Sequence, residues 1–287
     1  MPIFWILLAS LAFACMGVCI KLASADIMAA EAVFYRGVIA WLLSQAYVVL
    51  QGHTLRTPHL RAHLLRAGVG CCGMGTYFSA ITMIPLATAV TLAYTSPLFM
   101  ALILWLWYRE PVRPMTAAAL VLGFGGIVLL LHPTLAHNQW LGAGVGLGAG
   151  VFAALAVLNV RKLGQLGEPE WRTVYYFSAC SALLGLVWTL AQGGFHPLTG
   201  RLAWLALGMG GFGFIGQITM TLAFGRGRPL TMANLSYSTV VFASLFGIFF
   251  WGEVLPPQAW LGMGLILLSS MVTTALSRRP PAPVEPD

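Results

Sequence analysis

The stretch "YTSPLFMALILWLWYRE", residues 94–110, has a near-copy later in the chain, "YSTVVFASLFGIFFWGE", residues 237–253. Each copy opens with hydroxyl residues, continues as an apolar run and ends on a glutamate. Aligned without a gap, at an offset of 143 positions, the copies match at Tyr94 and Tyr237, at Phe99 and Phe242, and at Glu110 and Glu253. This duplication predicts a chain built from two copies of one structural unit.

The composition is that of an integral membrane protein. Hydrophobic residues make up 59% of the chain and charged residues only 8%, whereas soluble domains carry roughly 25% charged residues. The formal charge of +7 does not indicate nucleic-acid binding here, because basic residues in a membrane protein orient its loops. All five cysteines lie within apolar runs and lack zinc-site spacing, so we expect neither a metal site nor a structural disulfide.

Ten apolar runs are long enough to cross a bilayer, which requires roughly 20 residues. Unpaired backbone amides are costly in lipid, so each run is predicted to be a helix. A β-barrel would show period-two alternation, which these runs lack. The fold class is therefore all-α integral membrane. The spans are predicted near residues 2–22, 28–50, 62–83, 85–108, 114–131, 140–162, 172–192, 202–224, 229–251 and 256–277.

The distribution of lysine and arginine predicts the orientation of the chain. With ten spans both termini face the same side, and cytoplasmic loops carry an excess of basic residues. A cytoplasmic N-terminus leaves Lys21, Arg36 and Arg201 for the outer half, so both termini are predicted to be cytoplasmic. The other basic residues then fall on the inner side: Arg56, Arg61, Arg66, Arg109, Arg113, Arg161, Lys162, Arg172, Arg226, Arg228, Arg278 and Arg279.

Because each copy contains five spans, an odd number, the second copy must cross the membrane in the opposite sense. We predict two inverted five-helix repeats, residues 1–137 and 138–277, followed by a disordered cytoplasmic tail, 278–287. Glu110 then lies inside and Glu253 outside, which explains why only the first copy has an arginine beside its glutamate. Inverted repeats place a binding site near the midplane, and rocking of the halves gives alternating access.

The motifs resemble those of the drug/metabolite transporter superfamily, specifically its ten-helix EamA-type exporters, over nearly the whole chain. Within that superfamily the chain resembles bacterial exporters of aromatic and other amino acids. The resemblance implies a bacterial inner-membrane location, a cavity lined by helices 1, 3, 4, 6, 8 and 9, and peripheral helices 5 and 10. It is carried by "FYRG" (34–37), "YFSAITMIPLATAVTLAYTSPLF" (77–99), "WYREPVRP" (107–114), "ANLSYSTVVF" (233–242) and "WGEVLPPQAWLG" (251–262).

Five polar residues within the spans are candidates for lining that cavity: Tyr77, Tyr94, Asn159, Gln217 and Tyr237. Buried hydroxyl and amide groups need polar partners, so each residue either faces a cavity or makes an interhelical hydrogen bond. Tyr94 and Tyr237 are predicted roughly 12–14 Å deep, one from each surface, so that they bracket the midplane. Glycine-rich faces in spans 3, 6 and 8 are expected to let helices pack closely.

Charged residues near the ends of the spans have two interpretations. Lys21, Glu31 and Arg36 lie around the outer turn between the first two helices, where they could attract a substrate carboxylate or form a gate. Snorkelling or a local ion pair is the alternative. Glu110 and Glu253 each end a span where a carboxylate can accept hydrogen bonds from free backbone amides, so we expect helix-turn capping, with gating contacts second.

These features predict an exporter of small organic solutes, with aromatic or hydrophobic amino acids as the first substrate hypothesis. The central third of every predicted span lacks Asp, Glu and His, so facilitated transport is predicted rather than proton coupling. Export of cationic drugs stays open, as does a lipid-modifying membrane enzyme, which would need a cluster of reactive side chains at one depth. We expect a small-molecule substrate and the lipid bilayer as partners, no cofactor and no nucleic acid; the sequence leaves the oligomeric state open.

Overall fold

The computed structural model describes residues 2–134 and 139–278, with side chains described through residue 276. Within these residues the chain is helical and forms no strand. The predicted tail beyond residue 278 and the boundary between residues 137 and 138 lie outside this part. The helices are α1 (Pro2–Ala23), α2 (Ala29–Leu50), α3 (Leu60–Met83), α4 (Leu86–Ala93), α5 (Ser96–Leu106), α6 (Pro114–Leu131), α7 (Trp140–Gln165), α8 (Glu170–Ala191), α9 (Gly200–Arg226), α10 (Pro229–Leu235), α11 (Ser238–Trp251) and α12 (Pro257–Arg278).

The twelve helices form ten spans, because α4 with α5 and α10 with α11 each cross the bundle together. Every span lies within three residues of its predicted bounds. Nine spans in the described chain are long and apolar enough to cross a membrane, and α3 is not among them. We call the end of the bundle where α1 begins the terminal face and the opposite end the distal face.

Spans four and nine, predicted as continuous helices, are both interrupted within the duplicated sequence. The first interruption falls at Tyr94 and Thr95, the second at Ser236 and Tyr237. Pro97 follows the first one, and a proline inside a helix removes an amide donor and clashes with the preceding turn. The second copy breaks without a proline, where the amides of Tyr237 and other residues bond three positions back instead of four.

Hydroxyl side chains satisfy the carbonyl groups that these interruptions leave available. Thr95 Oγ1 donates to the carbonyl of Leu92 at 2.5 Å. In the second copy Ser236 Oγ donates to Ala233 at 2.7 Å and Ser238 Oγ to Leu235 at 2.6 Å. Serine and threonine commonly fill this role at helix breaks in membranes. Hydroxyl residues at or just before the start of each copy therefore satisfy backbone carbonyls where the helix is interrupted.

The residue before the repeated glutamate adopts a left-handed backbone conformation in both copies. Arg109 has φ of 54° and its equivalent, Gly252, has φ of 63°. Glycine adopts this conformation without steric penalty, whereas a residue with a Cβ does so at a cost of about 1 kcal/mol. The second copy therefore carries the residue that suits the turn, and the first copy retains an arginine despite the strain.

Helix packing is consistent with two equivalent halves of opposite orientation. The most extensive contacts join α1 to α9, α3 to α7, α2 to α8 and α6 to α12. If the two halves are exchanged, the pair α1 and α9 becomes the pair α7 and α3. The pair α2 and α8 and the pair α6 and α12 are each unchanged. The contacts of α1 with α10 and α11 likewise correspond to those of α7 with α4 and α5. This pattern supports the predicted inverted repeat.

Several of the glycines predicted to mediate close packing do so. A Cβ on Gly150 of α7 would lie 2.9 Å from the Leu92 carbonyl of α4, and a Cβ on Gly216 of α9 would lie 2.7 Å from the Phe13 ring of α1. Such contacts let helix backbones approach closely. Gly68 in α3, in contrast, faces open space. The glycine-rich faces therefore allow close helix packing between the two halves.

Candidate functional site

Arg66 lies inside the helix bundle, although the sequence analysis counted it among cytoplasmic charges. It occupies the second turn of α3 and is only 3% exposed. Its guanidinium carbon is 4.0 Å from the centroid of the Phe177 ring on α8, a cation–π contact. Its Nη2 donates to Gln217 Oε1 on α9 at 3.4 Å. Among the described residues its Nε and Nη1 have no hydrogen-bond partner.

Arg36 lies on the other side of the same group of side chains. It projects from α2, is partly buried, and places its guanidinium carbon 5.6 Å from the Phe177 ring centroid. Its Nη2 makes long contacts with Ser181 Oγ at 3.4 Å and with Met74 Sδ at 3.6 Å. Arg36 therefore belongs to the interior of the bundle and not to the outer turn, where the sequence analysis grouped it with Lys21 and Glu31.

A small cavity lies beside Arg36, Phe177 and Gln217. It measures about 10 Å³, room for roughly one water molecule. Gly213 makes space for the stem of Arg36, whose Cγ would be 3.1 Å from a Cβ at that position. Gly70 similarly makes space for Arg66 Nη1, which would be 2.6 Å from an added Cβ. The described conformation is closed around the cavity, which is lined by Arg36, Gly37, Ala40, Phe177, Ser178, Ser181, Gly213 and Gln217.

Of the predicted cavity residues, Gln217 lines this cavity and is 9% exposed. Its carbonyl oxygen accepts from Arg66, so the amide links α9 to α3. Asn159 instead donates to the carbonyl of Leu155 in its own helix at 2.8 Å. The amide of Asn159 is thus satisfied without an interhelical contact.

The predicted tyrosine pair is brought together by the fold. The Tyr94 and Tyr237 rings are 6.2 Å apart between centroids. Tyr237 is fully buried, packed with Ile127 of α6 and Ile266 of α12, and its hydroxyl has no partner among the described residues. In this conformation Tyr237 therefore faces the peripheral helices and not a cavity, because the helix break directs its ring between α6 and α12.

Tyr94 and Tyr77 lie closer to the contact between the halves. The Tyr94 hydroxyl is within hydrogen-bonding reach of the Thr239 side chain in the second copy. Tyr77 stacks edge-on with Phe78 at 5.7 Å and lies within electrostatic reach of Tyr94. Tyr94 therefore reaches the second copy, whereas Tyr77 packs against Phe78 of its own helix.

Two ion pairs with a lysine or arginine cation connect the halves at opposite faces. At the distal face Lys21 Nζ of α1 is 2.7 Å from Glu253 Oε1, and the ammonium lies 4.2 Å from the Trp251 ring centroid. At the terminal face Arg161 Nη1 of α7 is 2.9 Å and 3.1 Å from the carboxylate oxygens of Glu110. We call these the distal latch and the terminal latch.

The two latches occupy equivalent positions in the repeats. Lys21 and Arg161 are 140 positions apart near the ends of α1 and α7, and Glu110 and Glu253 are 143 positions apart. Each carboxylate accepts from a cation of the other half. This geometry corresponds to the gating alternative and not to the capping that the sequence analysis expected.

Glu31 is fully buried near the distal face and joins two further segments. Its oxygens accept from the amides of Met28 at 3.0 Å and His196 at 2.9 Å, and the His196 ring lies 2.6 Å away. Glu31 therefore ties the start of α2 to the connection before α9. Lys21, Glu31 and Arg36 do not form the single outer cluster that their sequence proximity suggested, because each side chain contacts a different part of the chain. Their partners are Glu253, His196 and Ser181, respectively.

A second buried carboxylate near the terminal face was missed by the sequence analysis. Glu168 accepts from Thr57, from Arg172 Nη1 at 2.6 Å and from His63 Nε2 at 3.2 Å. Burial alone would raise the pKa of the Glu168 carboxyl, but these hydrogen bonds outweigh it and lower the pKa to about 2. Glu168 therefore stays ionised at neutral pH and joins the connection before α3 to the one before α8.

The sequence of both halves matches one known protein family. The model of the EamA-like transporter family matches the chain twice, at residues 1–132 and 140–275. The chain belongs to the EamA-like transporter family. Membership in this family makes the chain a multi-pass membrane transporter of the drug/metabolite transporter superfamily, as the motifs predicted.

Relatives within the EamA-like family differ in what they carry. The chain is 32% identical over 273 residues to a pseudopaline exporter of Pseudomonas aeruginosa, covering 94% of each chain. It is 28% identical to a riboflavin transporter of Vibrio cholerae, covering 92% of this chain and 90% of that one. A crystal structure at 20% identity matches the fold with a TM-score of 0.86 and covers 96% of this chain and 97% of the other.

Proposed function

We propose that this transporter exports a small organic solute by alternating access, with a binding site where the halves meet. The observation that carries the proposal is the pair of equivalent latches on opposite faces. Alternating access requires one face to open while the other stays closed, and equivalent contacts in inverted repeats supply two such closures. Both latches are formed here, and the cavity between them is small, as expected of a conformation closed at both faces.

The proposed orientation is the one that the loop charges predict, with both termini cytoplasmic and the chain in a bacterial inner membrane. Moving Arg66 from the loops to the interior leaves eleven cytoplasmic basic residues and does not change the bias. The terminal face is then cytoplasmic, and solute enters from the side of the terminal latch.

Facilitated transport is proposed over proton coupling. Among the described residues the carboxylates and histidines lie near the ends of the spans, Glu31 at one level and Glu168 and His63 at the other. A proton relay through the membrane needs titratable groups at intermediate depth. Two arginines occupy that depth instead, and they would repel a cation, which disfavours the cationic-drug alternative.

The substrate hypothesis begins with aromatic and hydrophobic amino acids and extends to related metabolites, since the relatives carry pseudopaline and riboflavin. The test is efflux from proteoliposomes that contain the purified full-length protein and labelled solutes, with and without a pH gradient. Saturable efflux that is unaffected by the gradient supports facilitated transport. Efflux that follows the gradient would refute it, and equal loss from protein-free liposomes would refute transport of those solutes.

A further inference from the structure

We infer that Arg36 and Arg66 bind anionic groups of the substrate, and that the preferred substrates carry two carboxylates. This inference rests on the proposed transport function and deepens it, because it places dicarboxylates ahead of the zwitterionic amino acids of the first substrate hypothesis. It joins Arg36, which the sequence analysis suggested could attract a carboxylate, to Arg66, which has no assigned role.

The two arginines form an uncompensated positive site. Their guanidinium carbons lie 4.0 and 5.6 Å from one ring centroid, so two like charges lie within about 10 Å of each other. The ion pairs among the described residues include neither arginine. Charged side chains at membrane depth are costly unless they are paired, and they commonly mark the path of an ion or substrate.

The guanidinium donors have capacity that the protein leaves unused. Arg66 Nε and Nη1 are buried without partners in the described chain. Arg36 reaches only a hydroxyl at 3.4 Å and a thioether at 3.6 Å, a long contact and a weak acceptor. A carboxylate presents two oxygens that match the fork of a guanidinium, so it is the acceptor that this geometry fits best.

The charge and the surroundings restrict the substrate further. Two arginines are neutralised by two carboxylates, whereas a zwitterionic amino acid has no net charge with which to neutralise them. The Phe177 ring lies against both guanidiniums, and Met74 lies beside Arg36, so apolar surface is available for the carbon skeleton between two acids. The present cavity holds about one water molecule, so binding requires α2, α8 and α9 to separate, as alternating access provides.

The first test measures thermal unfolding of the purified full-length protein in detergent, followed by tryptophan fluorescence. The probes are sodium glutarate, sodium butyrate, zwitterionic phenylalanine and sodium sulfate, with sodium chloride matching the ionic strength. A ligand that binds only the folded protein raises the unfolding temperature in proportion to ln(1 + [L]/Kd). We expect the largest shift with glutarate, a smaller one with butyrate and the smallest with phenylalanine. A shift in unfolding temperature with sulfate equal to that with glutarate would show that the site binds anions in general and would overturn the carboxylate assignment.

Variants then locate the binding. Arg66→Met and Arg36→Met keep an unbranched side chain and remove the charge; Arg201→Gln, at an exposed position, is the matched control. If the arginines serve a ligand, each Met variant raises the unfolding temperature without ligand, because it removes an unpaired buried charge, and loses the glutarate shift. A variant that lowers the unfolding temperature and keeps the shift would show that the arginine is structural and would overturn the inference.

A conservative variant covers the case in which the Met variants fail to fold. Arg66→Lys retains the charge but lacks the planar fork, so we expect a glutarate shift smaller than in the wild type but not absent. A full shift in Arg66→Lys would overturn the bidentate geometry. The wild-type ranking of the four probes remains decisive whether or not any variant folds.

Efflux separates this inference from the proposed function. Glutarate binding without efflux of any carboxylate from proteoliposomes would refute the transport proposal and leave the site standing. Efflux of phenylalanine with no glutarate binding would refute the site and leave transport standing. Glutarate efflux that is lost in Arg66→Met and retained in Arg201→Gln is the result that supports both.

Discussion

Breaking one latch should open the protein toward that face. Glu253→Gln removes the charge that pairs with Lys21 at the distal face, and Glu110→Gln does the same to Arg161 at the terminal face. Each substitution keeps the size of the side chain. If the latches hold alternative closed faces, the two variants shift the conformational population in opposite directions.

The expected change in conformational population follows from the solvent exposure of the two ion pairs. The Lys21 and Glu253 side chains are 49% and 44% exposed, and those of Arg161 and Glu110 are 21% and 41% exposed. Such partly solvated pairs contribute about 0.2–1 kcal/mol. The population of the opened conformation should therefore rise about 1.4- to 5-fold, since RT is about 0.6 kcal/mol.

Alkylation of Cys71 reports the opening, because this thiol lies near both Arg36 and Arg66. With the other cysteines replaced, a membrane-impermeant maleimide is added to vesicles of either orientation. Glu253→Gln should speed labelling from the distal side, and Glu110→Gln from the terminal side. Asp26→Asn, an exposed acid of the same distal turn as Lys21, is the control and should change neither rate. Faster labelling from the same side in both variants would refute the latch interpretation.

Three further changes test individual parts of the fold by thermal unfolding in detergent. Gly252→Ala meets no neighbouring atoms but forces a Cβ into the left-handed conformation, so it should cost about 1 kcal/mol, and an unchanged unfolding temperature would contradict this. Asn234→Ala removes the buried hydrogen bonds to Ser269 and should cost about 1–3 kcal/mol; a cost below that range would show that the network is dispensable. The lowered pKa of Glu168 means that the stability it adds is complete above its ordinary pKa of 4.5 and is lost as pH falls through about 2. Glu168→Gln should therefore destabilise equally at pH 6 and 8 and less near pH 3.

Most of the fold could be predicted from the sequence, because membrane spans follow from the lengths of apolar runs. The helix interruptions could not, since Tyr94, Thr95 and Ser236 are hydroxyl residues inside apolar segments and hydropathy treats them as continuing helix. Pro97 was a visible signal for one break. The second break had no proline and could be inferred only through its equivalence to the first.

The candidate site was predicted less completely. Gln217 was identified because an amide within an apolar helix needs a polar partner. Arg36 was identified as a residue that could attract a carboxylate, but it was placed at the outer turn and not inside the bundle. Arg66 was missed because it lies close enough to the end of a span to be counted as a loop charge. Its signal was Gly70, one helical turn further on, which makes room for the guanidinium. Glu168 was missed because its partners come from separate connections that only the fold brings together.

The polar character of α3 has a consequence for how this protein is made. An arginine within a span disfavours entry into the bilayer by roughly 2.5–3.5 kcal/mol at the helix centre, and Arg66 lies in the one span that is not among the nine apolar ones. We therefore expect the translocon to release α3 into lipid only alongside a neighbouring segment. Glycosylation mapping of chains ended shortly after residue 83 should find this segment outside the membrane, and insertion should recover once α7 has been synthesised. The helix that supplies Arg66 would then owe its place in the membrane to the second half of the chain.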